Sequence, residues 1–164
     1  MIELRRTSAE DSDFCRLVEL LDSDLWSRYP TTQQNYINHN IVKANSEKGI
    51  QSARAIVAYH NREPVGCGCF RETSTPRTVE IKRMYVKEGV RRRGIATAII
   101  QELEGWAIET GAAKAILETG KLQPEAVALY QKSGYRKIEN FAPYVDNEES
   151  ICMAKDLPKS SVDC

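Results

Sequence analysis

No stretch of the 164 residues approaches the roughly 20 consecutive apolar residues that a membrane-spanning helix needs. The opening residues, Met1-Ile2-Glu3-Leu4-Arg5-Arg6, lack the apolar core of a secretory signal, so a soluble cytoplasmic protein is expected. Neither sign of charge prevails: 23 Lys and Arg stand against 23 Asp and Glu, for a net charge of zero. A dedicated nucleic-acid binder carries a basic excess and an aromatic-basic stacking surface, so neither nucleic acid nor membrane is an expected partner. Cysteine is odd in number (Cys15, Cys67, Cys69, Cys152, Cys164) with no Cys-x-x-Cys pair, and the only histidines are His39 and His60. No metal site is expected from that supply. A dinucleotide fingerprint is missing, because Gly66-Cys67-Gly68 lies inside a strand-like run, and no Gly-Lys-Ser/Thr marks a Walker loop. Repeats, low-complexity tracts and an interdomain linker are absent as well.

What the chain does have is two hydrophobic periods that succeed each other along it. Residues 2–6 alternate weakly and are short enough for a first strand. Phe14, Leu17, Val18 and Leu21 recur at helical spacing, with Thr7 or Ser8 available as a cap and Asp11 and Asp13 in the first turn. Leu25, Trp26 and Tyr29 extend that face to Pro30, and a more polar helix is expected over 31–45. From residue 53 the period becomes two. Segments 53–59 and 64–71 flank Asn61-Arg62-Glu63 as a hairpin, with Cys67 and Cys69 as small apolar fillers. Residues 79–86 read as another strand. Residues 94–110 carry Ile95, Ile99, Leu103, Trp106 and Ala107 on one stripe, an amphipathic helix closed by Gly111. Residues 113–117 read as a strand, 124–133 as a helix with proline at its start and Gly134 past its end, and 150–157 as a last strand. The sum is one α/β domain over 1–157 on a mixed sheet, with 158–164 a loose tail.

Chemistry concentrates in 79–96, Val-Glu-Ile-Lys-Arg-Met-Tyr-Val-Lys-Glu-Gly-Val-Arg-Arg-Arg-Gly-Ile-Ala. A strand runs into a basic loop, and a glycine opens a long helix. The first turn of a helix exposes unpaired N–H groups and a partial positive charge, which together accept a phosphate. Gly94 and Ala96 keep side-chain bulk away from those groups, and Arg91, Arg92 and Arg93 add charge. Taken alone, three arginines are a solvated basic run; the strand-loop-glycine-helix context makes them an anion site. Arg83 interrupts the alternation of the preceding strand, as the extra residue of a β-bulge would. A bulge aims backbone N–H groups outward, where a ligand carbonyl can meet them, although a plain edge strand produces a similar pattern.

Arg91-x-x-Gly94-x-Ala96 at a strand–helix junction resembles the Arg/Gln-x-x-Gly-x-Gly/Ala motif of the GNAT N-acetyltransferase superfamily. The block Gln123-Pro-Glu-Ala-Val-Ala-Leu-Tyr130-Gln-Lys-Ser-Gly134-Tyr135 is similar to that family's later helix. Leu117-Glu118-Thr119-Gly120 and residues 144–157 further resemble a bacterial small-molecule-type branch. The resemblance covers about the whole chain and is specific over 79–135. It implies a GNAT-like acyl-CoA N-acyltransferase fold, a mostly antiparallel sheet flanked by helices, with acetyl-CoA as co-substrate and no metal. Met84, Tyr85 and Val86 would offer backbone groups to the pantetheine arm and thioester carbonyl. Arg91, Arg92, Arg93, Gly94, Ile95 and Ala96 would wrap the pyrophosphate, with Thr97 adding a hydroxyl. The arm would pass between the 79–86 and 113–117 strands, which splay apart in this family. Gln123 stands at a cofactor-facing position where many members carry asparagine.

Transfer to an amine needs a neutral nucleophile, an oxyanion stabiliser and a proton for the departing thiolate. Similar family members use a glutamate at the position of Glu80 as base, often through water; otherwise Glu80 is a solvent-facing strand residue or a partner for Lys82 or Arg83. The resemblance makes Tyr130 the acid, whereas its spacing from Ala126 and Val127 also suits a core aromatic. Tyr29, Arg71, Lys82, Arg83, Glu118 and Tyr144 would line an acceptor pocket. Basic groups near Glu80 suit an acceptor with a carboxylate, and Glu118 suits a cationic one such as a polyamine. The expected activity is acetylation of a primary amine on a small molecule, amino-acid-like or polyamine-like. A non-catalytic acyl-CoA-binding module of the same fold, or a protein or peptide N-acetyltransferase, is the alternative. Similar folds often form homodimers.

Overall fold

The computed structural model describes residues 1–28 and 53–159. Tyr29, the helix expected over 31–45 and the last five residues of the tail lie outside the described residues. The chain begins with β1 (Ile2–Ser8) and α1 (Ser12–Arg28), followed by β2 (Arg54–His60), β3 (Glu63–Glu72) and β4 (Thr78–Val86). A single 3-10 turn, Glu88–Val90, leads to α2 (Ile95–Glu109), then β5 (Lys114–Gly120), α3 (Pro124–Lys132), β6 (Arg136–Ile138) and β7 (Ser150–Asp156). Among the described residues, seven strands form one sheet in the order β1-β2-β3-β4-β5-β7-β6. Of these neighbours β4 and β5 run parallel and the rest are antiparallel. The sheet is thus mixed and mostly antiparallel, as expected.

Several boundaries differ from the sequence reading, each for a local reason. Thr7 and Ser8 do not cap α1, because both still pair with β2 in the sheet. The cap is Asp11, whose Oδ1 accepts the N–H groups of Asp13 at 2.8 Å and Phe14 at 3.1 Å. The β2–β3 turn holds Asn61 and Arg62 alone, both at positive φ, and Glu63 already pairs with His60. Positive φ at both central residues is the type I′ geometry that matches the twist of a hairpin. Trp26, expected on the apolar face of α1, is half exposed. Strand β5 continues past Leu117 to Gly120, and β6 is an edge strand whose residues, Arg136-Lys137-Ile138, have too short a pattern to be seen in sequence.

Two cores cover the two faces of the sheet. On one, Phe14 and Leu17 of α1 pack on Ala55, Val57, Tyr59, Cys67 and Cys69. On the other, Ile95, Ile99, Ile100, Leu103 and Ala107 of α2 meet Phe70, Ile81, Leu117 and Met153, and Tyr130 of α3 joins them. Ile99, Ile100 and Leu103 are fully buried, and each such side chain contributes about 1.5–3 kcal/mol by leaving water. Cys67 and Cys69 are buried thiols whose pKa burial raises, to about 12 for Cys69, so they act as apolar fillers.

Tyr59 lies under α1 and donates its hydroxyl to Asp13 Oδ2 at 2.7 Å. Burial, and then the Asp13 bond, push its pKa from 10.0 up to about 12. The folded chain therefore holds this proton more tightly than the unfolded chain. Its stabilisation is intact below pH 10 and is lost as pH rises through about 12. Thermal unfolding across that window should show Tm falling, and Tyr59→Phe should flatten the fall. An identical slope in the variant would remove Tyr59 as its source.

Candidate active site

Strands β4 and β5 pair only from Thr78 with Lys114 to Ile81 with Leu117. Beyond that point they part. Strand β5 continues along β7, from Glu118 opposite Cys152 to Gly120 opposite Ser150. Strand β4 turns away with β3 and bulges: Cys69 faces Lys82 and Cys67 faces Tyr85, so Gly68 stands opposite both Arg83 and Met84. Arg83 takes φ 58°, the extra residue that its break in alternation led us to expect. Its carbonyl accepts the Cys67 thiol at 3.3 Å, and its guanidinium reaches Asp22 of α1 at 3.3 Å, which ties the bulge to α1.

Among the described residues, no strand pairs with the edge that β4 turns toward the gap beyond Ile81. Lys87 donates its N–H to Val65 O on β3 at 2.8 Å, so by strand alternation Val86 and Met84 direct their backbone groups the other way. Arg91 marks that direction, because its Nε donates to Val86 O at 2.7 Å. Tyr85 pairs with Cys67 instead, and its ring lies 5.6 Å below the Arg91 guanidinium. Arg91 is therefore turned inward onto the strand, leaving Arg92 and Arg93 exposed at the start of α2. Gly94 precedes that helix at φ 77°, a conformation glycine adopts without strain, with open space where a Cβ would stand. The first amide bonded within α2 is that of Ala98, to Gly94 O at 3.0 Å. The N–H groups of Ile95, Ala96 and Thr97 thus point out of the helix start, while the Ile95 side chain is core.

Behind this edge is a cavity of about 130 Å³. On the α1 face of the sheet it is lined by Glu80, Lys82 and Glu118, with Leu21 and Leu25 of α1 and Tyr144 of the β6–β7 loop. Glu80 is only 3% exposed, so the solvent-facing option does not hold. Arg71 donates to its Oε1 through Nε at 3.3 Å and Nη2 at 3.0 Å, and Lys82 Nζ lies 3.6 Å from its Oε2. Lys82 also donates to the Tyr144 hydroxyl at 3.4 Å, and burial lowers its pKa below 10.5 against the opposing pull of Glu80. Glu118 accepts the Ser150 hydroxyl at 2.8 Å; burial raises its carboxyl pKa above 4.5, and the Ser150 bond opposes that rise.

Tyr130 and Gln123 line the same cavity from the α3 side. Tyr130 is buried, packs edge-on to Tyr135 with ring centres 5.9 Å apart, and has its pKa raised well above 10.0 by burial and then by the Glu118 charge. Its phenol keeps the proton through the neutral range. Gln123 caps α3 through its backbone, accepting from Ala126 at 3.0 Å, and its side chain makes no cap bond. The parting of β4 and β5 is where the two faces of the sheet meet. A carboxylate on the α1 face and a phenol on the α2–α3 face open into one space.

Leu21 and Leu25 read in the sequence only as apolar positions of the first helix, and nothing there distinguishes Asp22 or Ser150 from ordinary helix and strand residues. Tyr29, expected beside the acceptor, lies outside the described residues. Among the described residues, no cluster of His, Cys, Asp and Glu is arranged to hold a metal, and no helix is long and apolar enough to cross a membrane.

The model of the Acetyltransferase (GNAT) family matches residues 15–135 of this chain, from α1 through the end of α3. The chain belongs to the GNAT acetyltransferase family. It is 28% identical over 157 residues, 95% of its length and 98% of the relative's, to an IAA acetyltransferase of Azospirillum brasilense. The crystal structure of a candidate acyl-CoA N-acyltransferase from Klebsiella pneumoniae superposes with a TM-score of 0.78 at 26% identity, covering 96% of this chain and 99% of that one. A PaiA N-acetyltransferase of Thermoplasma acidophilum, solved with coenzyme A, shares the fold at TM-score 0.68 and 18% identity, covering 95% and 99%. The matched GNAT segment holds the bulged β4, the basic loop and both helices around the gap, whereas Tyr144 and Ser150 lie beyond it.

Proposed function

We propose that this chain transfers the acetyl group of acetyl-CoA directly to the primary amine of a small molecule. The observation that carries the reading is the parting of β4 from β5 beside the edge of Met84 and the open start of α2. These features fit the cofactor's parts. Arg92, Arg93 and the free amides of Ile95, Ala96 and Thr97 suit a pyrophosphate. The Met84 edge suits an amide-bearing arm and an acyl carbonyl, as a strand edge does. The family match and the acetyltransferase name of the Azospirillum relative support acetyl transfer, and the Thermoplasma neighbour's coenzyme A supports the cofactor.

Acetyl-CoA bound there supplies an activated acyl thioester. The Met84 N–H donates to the acyl oxygen, and Glu80, through water, receives the proton that the amine gives up. Tyr130 delivers a proton to sulfur. In the balance, a C–S bond breaks, an N–C bond forms, and one proton passes from the amine side to the thiol. Because both substrates meet in one gap, initial velocities should give intersecting double-reciprocal lines. Parallel lines would mean an acetyl-enzyme and contradict direct transfer.

The basic loop carries its own prediction. Arg92→Ala with Arg93→Ala removes two exposed cations. At about 1.5–3 kcal/mol for a hydrogen bond to a charged group, the pair should weaken acetyl-CoA binding about tenfold or more by calorimetric titration. The Tm should stay the same, because neither side chain is buried. Unaltered affinity would move the pyrophosphate away from this helix.

A further inference from the structure

Among the described residues, the charges on the acceptor side of the gap balance. Lys82 and Arg83 line it against Glu80 and Glu118, with Arg71 behind Glu80 and Asp22 behind Arg83. Two of these pairings are close: Arg71 grips Glu80 through two nitrogens, and Arg83 reaches Asp22 at 3.3 Å. Two opposite charges remain turned to the cavity with weaker engagement. Lys82 has only long contacts, 3.6 Å to Glu80 Oε2 and 3.4 Å to the Tyr144 hydroxyl. Glu118 is held by the neutral Ser150 hydroxyl and forms no ion pair among the described residues.

That arrangement discriminates between acceptor classes. A polyamine or aminoglycoside brings several positive charges and needs a wall of net negative charge, which this balanced wall does not offer. A buried ammonium with long contacts gains most from an added carboxylate, and a lone carboxylate gains most from an amino group. The cavity of about 130 Å³, with Leu21 and Leu25 on one wall, leaves room for a small apolar body.

Resting on the acetyltransferase reading above, we infer that the acceptor is a small apolar α-amino acid. Its carboxylate lies on Lys82 and the Tyr144 hydroxyl, its amino group faces Glu118, and its side chain lies along Leu21 and Leu25. Lys82 is the residue that sets this preference.

The test compares leucine, leucinamide, isoamylamine and spermidine as acceptors, with thiol release from acetyl-CoA as the readout. Leucine should exceed isoamylamine in kcat/KM by about tenfold to hundredfold, mostly through KM, because the carboxylate contact binds ground and transition states alike. Leucinamide and spermidine should fall with isoamylamine. Lys82→Met should collapse the leucine-to-isoamylamine ratio toward one, and Lys82→Arg should restore part of it. Tyr144→Phe, which removes only a hydroxyl, should reduce the same ratio a few-fold, about what one neutral hydrogen bond carries. Isoamylamine or spermidine equalling leucine in the unaltered chain would overturn the inference and leave acetyl transfer standing. A Lys82→Met loss shared equally by leucine and isoamylamine, with an unchanged ratio in Tyr144→Phe, would overturn it too. Absence of thiol release with every amine would overturn the acetyltransferase reading along with it.

Discussion

Tyr130→Phe is expected to lower kcat for acetyl transfer by about 10²- to 10⁴-fold while leaving acetyl-CoA affinity within about twofold. The phenol is buried in the wall of the gap, and burial together with the Glu118 charge holds its pKa above the ordinary 10.0. A group in that state carries its proton throughout the neutral range and can give it to a departing thiolate. Phenylalanine keeps the ring, its edge-on contact with Tyr135 and its place in the α2–α3 core, so the fold has little reason to change. Stopped assays of thiol release, paired with calorimetry, separate the two effects. An unchanged kcat would remove Tyr130 as the acid and leave the chain's family membership intact.

Gly68→Val should produce the largest structural effect. Gly68 faces the bulge, alone on β3 where β4 has Arg83 and Met84. A Cβ built there would stand 2.4 Å from Met84 Sδ, 3.0 Å from Ile99 Cγ2 and 3.0 Å from Leu103 Cδ1. Met84 can swing its sulfur aside, but Ile99 and Leu103 are fully buried in the α2 core and cannot retreat. Overpacking of this kind costs about 1–3 kcal/mol, and a domain of this size loses about 2–4 °C of Tm for each. Because Gly68 pushed away from α2 would move against the bulge that turns Met84 toward the gap, acetyl-CoA binding should weaken along with stability. Gly105 on α2 has open space at its Cβ position, and Gly105→Ala is the matched control. A stable Gly68→Val chain with full cofactor affinity would mean that the bulge tolerates movement and does not set the Met84 edge.

The features legible in the sequence were those encoded by neighbours along the chain. The stripe of α2, the basic loop and the bulge at Arg83 all announce themselves within a few residues, through period, charge and a single break in alternation. The Asp11 cap was obscured because Thr7, Ser8 and Asp11 are all capable caps, and only pairing with β2 decides among them. The apolar run of β5 ends at Leu117, which hides the strand's continuation through Glu118 to Gly120, and that continuation brings Glu118 to the gap. Contacts between distant segments were not legible at all. Arg83 with Asp22, Ser150 with Glu118 and Tyr144 with Lys82 join residues from separate elements, and no local pattern records them. Arg91 shows the same limit in another form. Its charge was visible, but its turn onto the Val86 carbonyl depends on the strand having parted from β5.

The central claim is amine-dependent acetyl transfer from acetyl-CoA, and the most direct measurement is mass spectrometry of amine and cofactor after incubation with the chain. Free CoA and a product heavier by one acetyl group should appear together, in equal amounts, and both should require the amine. Tight acetyl-CoA binding with no acetylated product from any amine would contradict that claim and leave a chain of this fold that binds the cofactor without transferring its acyl group.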